Sequence, residues 1–134
     1  MEKTLVLIKP DAVERNLIGE IISMYEKEDL VISDIKKIRA TEEIARKHYY
    51  EHCERPYFDE LISYITRGDV VAMIIKGNDA ISKVRRINGA TNPEEALEGT
   101  IRKKYALSKN ENCVHASDSK ESANREMALW FSEF

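Results

Sequence analysis

Residues 4–13 read Thr4-Leu-Val-Leu-Ile-Lys-Pro-Asp-Ala-Val13. An unbroken apolar run of this length, without alternation, predicts a strand over Thr4–Ile8 buried on both faces. Lys9-Pro10-Asp11 ends it. Downstream, Ile18, Ile21, Ile22 and Tyr25 recur at helical spacing, predicting an amphipathic helix to about Asp29. Leu30–Ile38 is rich in β-branched residues and predicts a second strand. Thr41 is placed to N-cap a helix carrying Ile44, Ala45, His48 and Tyr49 on one side. Pro56 breaks the chain, and Phe58, Leu61, Ile62 and Ile65 mark another helix ending near Gly68. Val70–Lys76 predicts a third strand, and Asn78 is placed to cap a helix with Ile81, Val84 and Ile87 inward. From 88 to 111 periodicity disappears around Gly89, Asn92-Pro93 and Gly99; loops of such length are often functional. Cys113–Ala116 predicts a short last strand, and Ser119 opens a helix with Ala123, Met127, Trp130 and Phe131 on one face. The pattern is α/β, four strands interleaved with helices, and leaves the sheet free to be parallel, antiparallel or mixed.

Composition narrows the class of protein. The 134 residues fit one domain, 1–134, since domains commonly run about 100–150 residues. A hydrophobic fraction of 43% supports a core. The longest apolar run, Val70–Ile75, falls far short of the ~20 residues of a membrane span. Met1-Glu2-Lys3-Thr4 has no signal-peptide layout, so a cytoplasmic protein away from membranes is expected. Cys53 and Cys113 form no CxxC or zinc spacing and read as free thiols. The net charge of -3 argues against general binding of nucleic acid, while leaving room for a small basic pocket.

Candidate chemistry centres on Asn112-Cys-Val-His-Ala-Ser-Asp-Ser119. A histidine closing a short strand, before small polar residues that start a helix, is placed to face a cleft. Glu126 lies about two helical turns into that helix and could fold back on His115 directly or through Ser117, fixing its tautomer. A partly buried strand histidine beside a helix-capping Ser-Asp-Ser run fits the same stretch. Lys9, Arg85 and Arg102 are candidate phosphate partners, although such cations are usually solvated surface. Among Tyr49, Tyr50, Tyr57 and Phe58, a ring is available to a nucleobase, and Tyr57 points away from the helix core. His48 and His52 stand at i, i+4 but lack an HExxH pattern, which argues against a zinc site. No P-loop, GxGxxG or GxSxG occurs.

Taken together, these segments resemble the nucleoside diphosphate kinase family along essentially the whole chain. The resemblance runs through Thr4–Val13, His48-Tyr49, Glu54-Arg-Pro-Tyr-Phe58, Gly89-Ala-Thr-Asn-Pro93, Gly99-Thr-Ile-Arg102 and Asn112–Ser119. It implies a ferredoxin-like α+β fold, βαββαβ, with a four-stranded antiparallel sheet covered by helices. Residues 41–66 become a helical hairpin insertion, and 88–111 the family's long loop. It further implies that His115 takes the γ-phosphoryl group of a nucleoside triphosphate and passes it to a nucleoside diphosphate in a ping-pong cycle. Lys9, Arg85, Thr91 and Arg102 match the family's phosphate ligands, Lys9 and Asn112 its ribose-bonding groups, and Tyr57 its base-stacking position. Tyr49 falls beside the histidine, and His52 near the phosphates. Glu126 and Ser117 complete the catalytic set. Mg²⁺ would ride on the nucleotide phosphates, with no metal ligand from the protein. The resemblance also implies a homo-oligomer, a hexamer rather than a tetramer, although the sequence ends at Phe134 without the longer tail of many hexameric members.

The departures are local. Tyr57 stands where Phe is usual, Lys109 where an apolar residue commonly faces the base, and Ala116 where Gly commonly follows the histidine. Lys103-Lys104 makes the stretch after Arg102 unusually basic. Two other classes compete with the kinase: a ferredoxin-like domain that binds a small molecule without turnover, and an inactive interaction protein. Retention of His115 with its cations speaks against both.

Overall fold

The computed structural model describes residues 1–131. Its sheet has the order β2-β3-β1-β4 and is antiparallel throughout. In chain order the elements are β1 (Glu2–Ile8), α1 (Pro10–Glu14), α2 (Ile18–Glu26), β2 (Val31–Arg39) and α3 (Glu42–His48). A 3₁₀ turn (Tyr50–His52), α4 (Phe58–Thr66), β3 (Asp69–Gly77) and α5 (Ala80–Asn88) follow. The described chain closes with α6 (Ile101–Tyr105), β4 (Val114–Ala116) and α7 (Lys120–Trp130). With the α3–α4 hairpin set aside as an insertion, this is the βαββαβ ferredoxin-like arrangement.

The two central strands explain why the first run reads as doubly buried. Val6 and Ile8, with Val71, Met73 and Ile75, pack on Ile21 and Tyr25 of α2 and on Ala80 and Val84 of α5. Leu5 and Leu7, with Val70 and Ala72, pack on Ala45, Phe58, Ile62, Ile65 and Trp130 from the hairpin and α7. Alternate side chains enter opposite cores, as a period of two requires. Each fully buried Leu or Ile contributes roughly 1.5–3 kcal/mol, so β1 and β3 anchor both layers.

β2 differs from its expected character. It is an edge strand with Val31 and Ile35 each 53% exposed, and its pairing with β3 is irregular between Ile32 and Asp34. Its β-branched composition fits any pleated surface and does not report burial.

Three local expectations need correction. Asn78 does not cap α5. The N-cap is Asp79, left-handed at φ 51° and without a side-chain cap bond, and Glu2 Oε1 instead accepts from the Ile81 N–H at 2.8 Å. The chain after Lys9 does not simply turn but forms α1, with Pro10 at its first position, where a missing N–H costs nothing. The stretch 88–111 contains α6, capped by Thr100 accepting from the Lys103 N–H at 3.2 Å. Both helices are five residues long, too short for periodicity to register.

Candidate active site

β4 sets the position of the histidine. Val114 and Ala116 are buried in the core shared with α2 and α5, so strand alternation sends His115 to the opposite face. There α7 presents its buried side, Ala123, Glu126 and Trp130, after Ser119 caps it by accepting from the Ser122 N–H at 3.1 Å. Glu126 Oε1 lies 2.8 Å from His115 Nε2 and accepts from Ser117 Oγ at 2.7 Å. Arg125 Nη2 stands 3.5 Å from the other carboxylate oxygen. Burial raises the Glu126 pKa, but the His115 and Ser117 hydrogen bonds and the Arg125 charge outweigh it, and the net shift is downward. An ionised Glu126 therefore takes the Nε2 proton of His115 as donor, leaving Nδ1 with the lone pair. Of the two routes expected for Glu126, the direct one is present, and Ser117 braces the carboxylate by donating to it.

His115 lines a cleft of about 540 Å³ together with Lys9, Tyr49, His52, Tyr57, Arg85, Thr91, Arg102, Lys109, Asn112 and Glu126. Every site residue expected from sequence is there except Ser117, which is fully buried behind Glu126. Lys103 and Lys104 are exposed and do not line it.

The cations are held firmly. Lys9 Nζ donates to Asn112 Oδ1 at 2.8 Å, and Asn112 Nδ2 donates to the Thr91 carbonyl at 3.2 Å. Burial, helped by the Arg102 charge, lowers Lys9 to a pKa of about 8, so it remains mostly protonated at neutral pH. Arg102 donates at 2.8 Å to each of the Gly89 and Val114 carbonyls, and burial lowers its pKa too. Gly89 is required at this junction. Its φ is +88°, and a Cβ would meet Thr100 Oγ1 at 2.6 Å. Arg85 reaches the Ala116 carbonyl at 3.3 Å.

The outer end is looser. Tyr57 is 39% exposed, and its hydroxyl lies 3.1 Å from His52 Nδ1. Lys109 shares the cleft with it.

His48, which the sequence places on one side of a helix and gives no role of its own, packs its ring edge-on against His115 with centroids 4.5 Å apart. Trp130 Nε1 donates to His48 Nδ1 at 3.1 Å. Burial, then the His115 charge, pushes the His48 pKa well below its ordinary value, so the ring stays neutral. Tyr49 packs on His48 at 4.7 Å rather than on His115 by any ring contact. Arg125, Asn110 and Asp118 also line the cleft. The i, i+4 spacing from Ser122 to Glu126 was the available signal for α7's inward side, but a solvated Arg125 looks no different in sequence.

One cluster of potential metal donors occurs among the described residues, His48, His115 and Glu126, with donor atoms within 4.8 Å of one another. Two nitrogens and one carboxylate do not suit Mg²⁺, which prefers oxygen ligands, and His48 Nδ1 and Glu126 already serve other partners. A hard cation would draw its ligands from a bound anion and water.

A histidine with a carboxylate-fixed tautomer, facing Lys9, Arg85 and Arg102, has the parts of a phosphoryl-transfer protein. The family model for nucleoside diphosphate kinase matches residues 2–134. The chain is 57% identical over 131 residues to a Clostridium perfringens nucleoside diphosphate kinase, covering 98% of this chain and 92% of that one. It is 53% identical over 131 residues to one from Saccharolobus islandicus, covering 98% and 95%. The solved Aquifex aeolicus nucleoside diphosphate kinase superposes with a TM-score of 0.94 at 42% identity, covering 97% of this chain and 94% of that one. The Encephalitozoon cuniculi enzyme gives a TM-score of 0.95 at 39% identity, with coverage of 97% and 88%. The chain belongs to the nucleoside diphosphate kinase family.

Proposed function

We propose that residues 1–134 act as one domain that moves the γ-phosphoryl group of a nucleoside triphosphate to a nucleoside diphosphate through His115. The observation that carries this reading is Glu126 fixing His115 Nε2 inside a cleft that also holds Lys9, Arg85 and Arg102. Nδ1 attacks the γ-phosphorus, an N–P bond forms, and the bond to the leaving diphosphate's oxygen breaks. The imidazolium charge that develops is balanced by Glu126. A second nucleoside diphosphate then attacks the phosphohistidine by the same path in reverse.

Roles follow from chemistry and position. Arg85, Arg102 and Lys9 meet the phosphoryl oxygens, on which negative charge is spread in the transition state. Thr91 and His52 bind nearby phosphates, Tyr49 flanks the histidine layer, and Ser117 holds Glu126. Asn112 and Lys9 bond the ribose hydroxyls, while Tyr57 stacks on the base. Mg²⁺ would be held by the nucleotide phosphates, with no ligand from the protein, and would neutralise part of their charge. The partners are nucleoside triphosphates and diphosphates, and the net charge of -3 is in keeping with no stable nucleic acid binding.

We also propose a homo-oligomer, in line with Val31 and Ile35 exposed on an unpaired sheet edge. The family resemblance favours a hexamer over a tetramer, which light scattering decides. Free Cys53 and Cys113 and the nucleotide substrates fit a cytoplasmic enzyme. No helix among the described residues is long and apolar enough to cross a membrane.

Incubation with γ-labelled ATP tests the central step. The protein should carry label that is acid-labile, base-stable and removed by GDP. A binding domain without turnover would take up no covalent label.

A further inference from the structure

The residue between Asn112 and the β4 strand has a backbone that its side chain does not favour. Cys113 is fully buried with φ at +74°, in the left-handed region that any residue with a Cβ resists. Such a conformation persists only where surrounding bonds over-determine it. The Val114 N–H closes a three-residue turn around Cys113 by donating to the Asn112 carbonyl at 2.9 Å, and the two backbone groups of Cys113 itself are held from one short segment. The Lys9 N–H donates to the Cys113 carbonyl at 2.8 Å, and the Cys113 N–H donates to Asp11 Oδ2 at 3.2 Å. Both backbone groups of the strained residue are thus held by Lys9, which N-caps α1, and by Asp11 in its first turn.

Asp11 is itself held. It is 1% exposed, and its second oxygen accepts from the Tyr64 hydroxyl on α4. The Lys9 ammonium lies 5.5 Å from the Tyr64 ring centre, on the same side of the site. A buried carboxylate is costly unless hydrogen-bonded, and Asp11 accepts from the Cys113 N–H and the Tyr64 phenol, with the Cys113 thiol as a further partner.

The geometry points to Asp11 as a positioning residue for phosphoryl transfer, holding Cys113 left-handed so that Asn112 and His115 are presented to one cleft. This rests on the phosphohistidine reading above. The left-handed turn lets Asn112 face Lys9, which it meets at 2.8 Å, while His115 two residues later faces Glu126. Relaxation of Cys113 to an extended φ would rotate Asn112 away from Lys9 and change the angle at which β4 leaves the turn. Asp11 contacts none of the reacting atoms; it acts through this backbone torsion and, separately, through its charge, which helps keep Lys9 protonated, and only the first of these effects is open to rescue at Cys113.

The test uses Asp11→Asn, which keeps the shape but has only one acceptor oxygen for two donors. Single-turnover phosphorylation of His115 by ATP should slow about 10–100-fold, with the amide proton of Cys113 losing protection from hydrogen exchange. Cys113→Gly alone should stay within about 3-fold of wild type, since glycine takes a positive φ without strain. Combined with Asp11→Asn, it should recover at least 5-fold of the lost rate. A rate for Asp11→Asn within 2-fold of wild type overturns the proposal, and so does a loss that Cys113→Gly leaves unrepaired. If Asp11→Asn folds poorly, Tyr64→Phe serves as the milder variant: it removes one donor from Asp11 and should slow the same step less than Asp11→Asn. No slowing at all with a lowered melting temperature would mark a purely structural network. The wild-type protein is the control for the underlying reading: no covalent label there sinks the phosphohistidine, while the exchange measurement still reads the clamp.

Discussion

The two ends of the cleft are built to different standards. At the inner end, Lys9, Arg102, His115 and Glu126 are each tied down by hydrogen bonds of 2.8 Å, and Lys9, Arg102 and Glu126 are nearly inaccessible. At the outer end, Tyr57 is 39% exposed, and among the described residues Lys109 makes no side-chain hydrogen bond or ion pair. Preorganised dipoles and charges accelerate a reaction because they need no rearrangement as charge develops. A loosely held ring, by contrast, can accept any flat partner. The protein concentrates rigidity where phosphorus moves and relaxes it where identity is read.

The largest expected effect breaks the inner end outright. His115→Ala should abolish the acid-labile phosphoenzyme and lower transfer on the order of 10⁴-fold or more. Its melting temperature should fall by no more than a few degrees, since Glu126 keeps Ser117 and Arg125 as partners. Substantial turnover in that variant would move the nucleophile elsewhere.

Next come the arginines. Lysine keeps the charge and loses the planar fork, so Arg85→Lys and Arg102→Lys should each cost roughly 1.5–3 kcal/mol in kcat/KM and lower kcat as well. The two variants should part in stability. Arg102 satisfies the Gly89 and Val114 carbonyls at once, which lysine cannot do, whereas Arg85 makes one bond to Ala116. Lys103→Ala and Lys104→Ala, both exposed and outside the cleft, should remain within a few-fold of wild type. A rise in KM with kcat unchanged under single-turnover conditions would make the arginines ground-state binders.

Behind the inner end, His48 gives a smaller, pH-dependent effect. Its folded pKa lies well below 6.5, so the unfolded chain takes up this proton first as pH falls. Stability therefore drops below pH 6.5, by about 1.4 kcal/mol at pH 5.5 for one proton. Urea unfolding should show that loss in the wild type and a correspondingly flatter profile in His48→Gln. Equal slopes in the two proteins would assign the pH dependence to another group.

The legibility of the molecule in its sequence divides along similar lines. β1, β3 and the long helices announce themselves, because burial on one face or two leaves a periodic apolar record. The site residues are readable as a set only through family resemblance; the stretch around His115 alone favours a partly buried strand histidine. What escaped has physical reasons. α1 and α6 are single turns with no period to detect, and the Asp79 cap is replaced by Glu2, 77 positions away from Asp79 but adjacent through the sheet. His48 reads as one side of a helix with no role of its own; only the fold places that buried ring 4.5 Å from His115. The left-handed Cys113 is invisible because cysteine carries no signal for positive φ.

The smallest effects are expected at the outer end, and they sharpen the contrast most. Tyr57 offers a ring face and Lys109 a mobile cation, neither of which encodes a fixed pattern of donors and acceptors. ATP, GTP, CTP and UTP should therefore differ in kcat/KM by less than ~100-fold, against the 10⁴ or more of a site that hydrogen-bonds one base. Tyr57→Phe retains the ring and removes only the 3.1 Å contact between its hydroxyl and His52. Turnover by that variant should stay within about 5-fold of wild type for all four bases, because an exposed hydrogen bond contributes about 1 kcal/mol or less. The informative quantity is the ratio between bases rather than any single rate. If Tyr57→Phe changed the preference among the four by more than about 5-fold, the hydroxyl would be reading a base edge. The outer end would then be a specificity device of its own, and the division of rigid chemistry from permissive recognition would fail.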